Sequence, residues 1–279
     1  MVIAEIKSNF HRDLNGLYTA SEVETLFVIF VEEVLKINRV QLRNWNEPLN
    51  DAVILKFQNA LSALKTGKPY QQIIGKAQFF GEVFKVNEHT LIPRPETEEL
   101  LEMAIREIKK LKNKNIQILD IGTGSGVIPI ILKKYFPSAE ITSMDICPEA
   151  IAIAKENAQT HQSEIHFIRE DYLHTTLSKK YDIIISNPPY IGKDENDEIE
   201  DTVKKFEPNI ALFSPTEDPL IFYRKIAMDA ENHLINGGMI LLEINQKLGQ
   251  ETLALYHHFS SAQLIKDLSG NDRILFITK

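Results

Sequence analysis

The 279-residue sequence predicts an α/β protein. The expected core is a mostly parallel sheet with helices on both faces and an antiparallel last strand, preceded by a small all-helical domain and a β-hairpin linker. Three observations carry that prediction. Apolar residues recur at helical spacing before residue 70, short apolar runs alternate with helical segments after residue 116, and the last two runs are joined by only four residues.

In the first part, apolar positions fall at Val2, Ile3, Ile6, Phe10 and Leu14, then at Val23, Leu26, Phe27, Phe30, Val34 and Ile37, then at Val53, Ile54, Phe57, Leu61 and Leu64. Spacings of three and four place each set on one helix face, as in a small bundle. Ser21 followed by Glu24 has capping-box spacing and predicts a helix start there. Charge is balanced over residues 1–75, eight acids against eight bases, with no cluster that reads as catalytic. Thr66-Gly67-Lys68-Pro69 is the expected hinge. Between Gln78 and Leu91 a partial alternation of Phe80, Val83 or Phe84, and Val86, broken by Gly81, predicts a hairpin. Ile92-Pro93-Arg94-Pro95 is stiff and extended, because each residue before a proline is pushed out of the helical region. Thr97 or Glu96 is the expected cap of the next helix. The domain expectation is therefore 1–75 helical and recognising substrate, 76–98 hairpin linker, and 99–279 catalytic.

From residue 116 strands are expected at Ile116–Ile121, Glu140–Met144, Ile165–Ile168, Tyr181–Ser186 and Met239–Ile244. Helical segments between them predict parallel pairing. Gln263–Leu268 and Arg273–Thr278 close the chain as a hairpin, since Ser269–Asp272 leaves no room for a helix.

Composition narrows the function. With 43% hydrophobic and 25% charged residues the chain is that of a globular protein, and no apolar run approaches the roughly 20 residues of a membrane span. No secretory signal is recognisable and Cys147 is the single cysteine, so a cytoplasmic protein without disulfides is expected. No metal site is expected, because the eight histidines lack ligand spacing. A net charge of −8 argues against direct binding to nucleic acid. The acidic run Asp194, Glu195, Asp197, Glu198, Glu200 and Asp201 reads either as a solvated loop or as a lip attracting a basic partner.

The chemistry lies at strand ends. The first strand of the sheet runs into Asp120-Ile121-Gly122-Thr123-Gly124-Ser125-Gly126, where alternate glycines allow a tight turn and a close approach to a ligand. The spacing is GxGxG, not that of a dinucleotide fold or a phosphate loop. Asp145 ends the next strand, where a carboxylate accepts the hydroxyl protons of a ribose. At the end of the third, Asp171 can accept from an adenine amino group and Tyr172 can lie against the ring. Together these describe an adenosine-shaped site. The fourth strand ends in Asn187-Pro188-Pro189-Tyr190. The Asn187 side-chain oxygen and the Pro188 carbonyl can accept both hydrogens of an NH2 group, while Tyr190 offers a flat face for a planar amide or base. An amide nitrogen is a poor nucleophile, and this arrangement both raises its electron density and aims it at a sulfonium methyl.

These motifs resemble the class I (Rossmann-like) methyltransferases that modify amino or amide nitrogens. More closely, the chain resembles the bacterial release-factor glutamine methyltransferases (the PrmC/HemK family) over nearly its whole length. Matching stretches include Pro69–Gly75, Phe80–Val86, Leu91–Glu98, Asp120–Gly126, Ser186–Ile191 and Asp267–Arg273. The segment Leu91–Glu98 separates this family from other Asn-Pro-Pro-Tyr enzymes. The resemblance implies that Gly122, Thr123, Gly124, Ser125, Gly126, Asp145, Tyr172 and Asn187 hold S-adenosylmethionine, and Asp171 is expected to join them from its place at the end of the third strand. It implies equally that Asn187, Pro188, Pro189 and Tyr190 hold the glutamine of the Gly-Gly-Gln loop of peptide-chain release factors. A monomer is expected. Arg94 and Glu98 are expected either to pair and brace the site or to leave Arg94 for the partner. Where the family has glycine after Ile244 this chain has Asn245, expected to cause a modest local change because asparagine tolerates a left-handed backbone. The alternatives are a ribosomal-protein glutamine methyltransferase, which differs in its N-terminal domain and linker, and a nucleic-acid amino-methyltransferase, which should add a basic face.

Overall fold

A computed structural model of the chain describes residues 1–113 and 115–279. Packing divides it into two compact units, Met1–Gly75 and Lys76–Lys279. Among the described residues no helix is long and apolar enough to cross a membrane.

The first unit holds α1 (Ile3–Asp13), α2 (Ala20–Leu35), α3 (Arg39–Arg43), α4 (Asp51–Leu64) and α5 (Tyr70–Ile74). Their apolar faces meet around Phe10, whose ring lies 5.8 Å from Phe27, 6.1 Å from Phe30 and 6.4 Å from Phe57. Asn38 and Asn50 cap α3 and α4 through their side-chain oxygens. The start of α2 corrects the sequence expectation by two residues. The capping box is Thr19 with Glu22, whose carboxylate returns to the Thr19 N–H at 2.7 Å. Glu24 is drawn away to Lys7 and His11 on α1, at 2.7 and 3.2 Å.

The second unit opens with a hairpin, β1 (Lys76–Phe79) and β2 (Glu82–Lys85), turned at Phe80 and Gly81, both of positive φ. It continues through α6 (Pro95–Lys110), β3 (Gln117–Ile121), α7 (Val127–Tyr135), β4 (Glu140–Asp145), α8 (Pro148–Thr160), β5 (His166–Arg169) and β6 (Tyr181–Ser186). After these come α9 (Asp201–Phe206), α10 (Asn209–Leu212), α11 (Ile221–His233), β7 (Leu234–Glu243), α12 (Gly249–Ala254), β8 (Ser261–Lys266) and β9 (Asp272–Thr278). The sheet order is β5-β4-β3-β6-β7-β9-β8, parallel from β5 to β7, with β9 antiparallel to both its neighbours. This is the predicted architecture.

The central strands read as unbroken apolar runs because both faces are buried. On β6, Ile183 and Ile185 join the core beneath α6 and α7, while Ile184 faces the core shared with Tyr223 and Tyr256. On β7, Leu241 and Leu242 divide in the same way. The chain leaves β3 toward β4 and β5, then returns to build β6 and β7 on the other side. That reversal opens a crevice at the carboxyl ends of β3 and β6, the position where open α/β sheets bind ligands.

The start of α6 also departs from expectation. Pro95 occupies its first turn and Arg94 precedes it without a side-chain cap, so Thr97 and Glu96 lie inside the helix.

Candidate active site

The crevice holds two cavities. The larger, of about 620 Å³, is bounded by the glycine loop, Asp145, Asp171, Tyr172, Asn187 and Pro189. The smaller, of about 310 Å³, is bounded by Pro188, Tyr190 and Glu243, with Glu198 and Glu200 also on its wall. Asn187 lines both.

The loop after β3 is held under the larger cavity by its own backbone. The N–H groups of Gly122 and Thr123 donate to the Met144 carbonyl at 2.9 and 3.0 Å, which ties the loop to the end of β4. Gly126 has φ +84°, and a Cβ there would meet Ala154 of α8 at 3.1 Å, so the third glycine is required by helix packing as well as by conformation. Thr123 and Ser125 are buried, and the Thr123 hydroxyl bonds that of Ser143.

Asp145 accepts the Gly124 N–H and the Cys147 N–H, each at 2.9 Å, which aligns its carboxylate with the cavity wall. Burial pushes its pKa up against these backbone bonds. Asp120, beneath the loop, accepts from Ser143 at 2.5 Å and has an Oδ1 with no hydrogen-bond partner among the described residues. Desolvation pushes its pKa to about 7.

Asp171 and Tyr172 reach the larger cavity, but both have internal partners. Asp171 accepts the Leu173 N–H at 3.0 Å and meets His174 Nδ1 at 2.7 Å. The Tyr172 hydroxyl donates to Asp229 at 2.8 Å, and its ring lies under the Lys225 ammonium.

Asn187, Pro188, Pro189 and Tyr190 follow β6, which is sewn to β3 by the Ser186 hydroxyl donating to the Ile121 carbonyl at 2.7 Å. The Asn187 Nδ2 donates to Thr97 Oγ1 at 3.1 Å. Thr97 donates in turn to Glu243 Oε2 at 2.7 Å, and the Tyr190 hydroxyl donates to Glu243 Oε1 at 3.2 Å. Burial raises the Glu243 pKa, opposed first by the Thr97 hydrogen bond and then by the Arg273 charge. Burial likewise holds the Tyr190 phenol in its neutral form.

Thr97 and Glu243 are absent from the site residues the sequence picks out, where Thr97 stands only as an expected helix cap in the segment Leu91–Glu98. The one available signal is an acid ending an otherwise apolar strand, which does not reveal its partner. Two further expectations are corrected. Arg94 pairs with Glu207, not with Glu98; the Glu207 side chain is 1% exposed and also accepts the Ile92 N–H at 3.0 Å. Glu98 accepts instead from the Phe80 N–H at 2.6 Å, joining α6 to the hairpin turn. Asn245 is extended, with φ −67° and ψ 120°, so a left-handed backbone is not what it supplies. Its side chain donates to Glu195 at 2.7 Å, and Lys247 pairs with Glu195 and Glu198. The first four of the six acids in the run are thereby fastened in a 3₁₀ turn, Lys193–Glu198.

Comparison with known proteins places this geometry. Residues 102–206 match the model of the methyltransferase small domain, and residues 17–75 that of the PrmC N-terminal domain. The release factor glutamine methyltransferase of Flavobacterium psychrophilum is 42% identical over 99% of this chain and 98% of its own length. The chain belongs to the release factor glutamine methyltransferase family. Members from Bacteroides thetaiotaomicron and Streptococcus pneumoniae are 36% and 38% identical, again over 98% of their lengths. Solved structures share the fold. A Pyrococcus furiosus methyltransferase, 20% identical, aligns over 75% of this chain and 94% of its own with a TM-score of 0.53. The Thermus thermophilus 16S rRNA N2 G1207 methyltransferase, 19% identical, aligns over 73% and 49% with a TM-score of 0.52.

Proposed function

We propose that the protein transfers a methyl group from S-adenosylmethionine to the side-chain amide nitrogen of the glutamine in the Gly-Gly-Gln motif of peptide-chain release factors. The observation that carries this reading is the position of Asn187, on the wall between two cavities of unequal size. The larger has the volume of a cofactor site, for which several hundred Å³ is usual. Its donor set fits an adenosine-bearing cation. The Asp145 carboxylate faces it, and Gly124 leaves open space where a side chain would stand.

Gly122–Gly126, Asp145, Asp171, Tyr172 and Asn187 are the residues that would hold this cofactor. When bound, it supplies a methyl group on a positively charged sulfur. The chain's own residues do the rest. Tyr172 acts as a wall and not through its hydroxyl, which is engaged by Asp229. The Asn187 Oδ1 and the Pro188 carbonyl accept the two N–H bonds of the incoming amide, and Tyr190 and Pro189 confine its plane. Accepting both bonds holds the nitrogen lone pair toward the larger cavity, and no base of matched pKa is required, because the methylated nitrogen is strongly acidic and releases one of its two protons to solvent after the methyl arrives. Residues 1–75 serve as the domain that recognises the partner, 76–98 as the linker and 99–279 as the transfer domain. The net charge of −8 favours a protein acceptor over a nucleic acid.

The test is transfer of a labelled methyl group from S-adenosylmethionine to purified, unmethylated release factor, with duplex DNA and ribosomal RNA as parallel acceptors. Label is expected on the release factor alone and lost when its Gly-Gly-Gln glutamine is replaced. Label confined to a nucleic acid would move the acceptor assignment.

A further inference from the structure

The side-chain amide of Asn187 has two faces that differ only in which end is the oxygen. Rotated by 180° it would present NH2, not a carbonyl oxygen, to an incoming amide. Two donors would then face each other, and the nitrogen to be methylated would be pushed out of line. The position of Asn187 after β6 does not choose between the two orientations; its hydrogen-bond partner does.

That partner is the Thr97 hydroxyl, which has one proton to give. It gives it to Glu243 Oε2 at 2.7 Å, so toward Asn187, 3.1 Å away, it can only accept. Glu243 takes a second hydroxyl proton, from Tyr190, on its other oxygen at 3.2 Å. In its ionised form, which the Thr97 and Tyr190 hydroxyls and the Arg273 charge favour against burial, the Glu243 carboxylate only accepts and thus sets the direction of both bonds. Glu243 is itself placed at the buried end of β7, where its backbone carbonyl accepts the Tyr223 hydroxyl at 2.9 Å.

We propose that Glu243 and Thr97 are positioning residues for the transfer reaction: through them the Asn187 amide is locked with its oxygen toward the acceptor cavity, and the Tyr190 ring is locked beside it. The inference rests on the function proposed above. It also gives the segment Leu91–Glu98 a chemical task. In the chain Thr97 stands 90 residues from Asn187 and 146 from Glu243, and the packing of α6 against β7 brings the three together.

The experiment compares Thr97→Val, Thr97→Ser and Glu243→Gln with the wild-type chain. It measures kcat and KM for release-factor methylation, calorimetric affinity for S-adenosylmethionine and thermal unfolding. Thr97→Val keeps the shape and removes the relay. Its kcat is expected to fall by about 10- to 100-fold, the scale of a misaimed reacting group, with KM and cofactor affinity within about threefold of wild type. Thr97→Ser, which restores the hydroxyl, should recover kcat to within about threefold. A residue that merely packs would lower the melting temperature and leave the kcat of the folded protein unchanged. Wild-type kcat in Thr97→Val, or a Thr97→Ser enzyme as slow as Thr97→Val, overturns the relay. Should the valine variant not fold, Glu243→Gln decides: it places an N–H where one hydroxyl now donates, and an unaltered kcat overturns the proposal. A wild-type chain that puts no label on the release factor sinks the functional reading and the relay with it. Label with wild type and unchanged kcat in the variants sinks the relay alone.

Discussion

Residues 1–75 bury aromatic and aliphatic side chains around Phe10, and Gln72 is the one polar side chain buried there among the described residues. Residues 76–279 bury Asp120, Ser143, Glu207 and Glu243 as well as two apolar clusters. Burying a carboxyl costs several kcal/mol unless hydrogen bonds offset it, so such groups persist where a task holds them. In the second unit Asp120, Ser143 and Glu243 lie toward the carboxyl ends of β3, β4 and β7, and Glu207, just after α9, pairs with Arg94 on the cavity wall. The first unit carries no comparable cost, which fits a part that stabilises itself by packing and works through its surface. Each of the following substitutions tests one side of that contrast.

The largest effect is expected at Asn187. Asn187→Ala removes the side-chain acceptor on the wall shared by the two cavities and should lower methyl transfer by about 10²–10³-fold, the cost of losing one preorganised hydrogen-bonding group. Cofactor affinity should stay within a few-fold, since the loop from Gly122 to Gly126 and Asp145 are untouched. Retained turnover in a single-turnover assay would remove Asn187 from its assigned role.

Phe10→Ala attacks the other side. Phe10 is fully buried against three other phenylalanines, and truncation should cost about 3–5 kcal/mol. If the two units differ as argued, limited proteolysis will cut within residues 1–75 while calorimetry still finds the cofactor bound with wild-type affinity. Loss of cofactor affinity would break the contrast.

Asp120 sharpens it through pH. Its carboxyl keeps its proton to about pH 7 in the folded chain because it is desolvated and lies near Asp145, with Ser143 and Thr123 opposing, and releases it near 3.8 when unfolded. Between those values the unfolded chain ionises and the folded chain does not. Stability therefore falls as pH rises through the window, by up to about 1.4 kcal/mol per unit. Asp120→Asn cannot ionise, and its unfolding free energy, followed in denaturant from pH 4 to pH 7.5, should lack this component. An identical pH slope in both proteins would show that Asp120 is ionised in the folded state.

Much of this contrast can be read from the sequence and part of it cannot, for a physical reason. Strands buried on both faces leave unbroken apolar runs, so β3, β4 and β6 are legible, as are the glycines whose φ no other residue adopts readily. Asn187–Tyr190 is legible because two prolines after a strand constrain the backbone by themselves. Thr97, Glu207 and Glu243 are not, because their partners lie 90 to 146 residues away and no local spacing records them. The start of α2 is ambiguous for a related reason. Thr19 with Glu22 and Ser21 with Glu24 have the same spacing, and only the pull of Lys7 and His11 on Glu24 separates them. Asn245 misleads because its type admits a left-handed backbone, whereas its use here is a side-chain bond to Glu195.

Tyr172 is where the two kinds of burial meet, and the smallest effect is expected there. Tyr172 borders the larger cavity, yet its hydroxyl is engaged by Asp229, which Lys225 also holds at 2.7 and 2.9 Å. In Tyr172→Phe the ring stays and Asp229 keeps its ammonium partner, so the loss is that of one hydrogen bond, about 1 kcal/mol of stability. Affinity for S-adenosylmethionine should be unchanged within about twofold, because the hydroxyl that is removed is already engaged by Asp229. Tyr172→Ala removes the wall itself and should weaken cofactor binding well beyond that. A phenylalanine variant that bound the cofactor tenfold more weakly would show that the hydroxyl turns toward the ligand. Tyr172 would then count among the polar groups the site uses directly and no longer as an apolar surface held in place from behind.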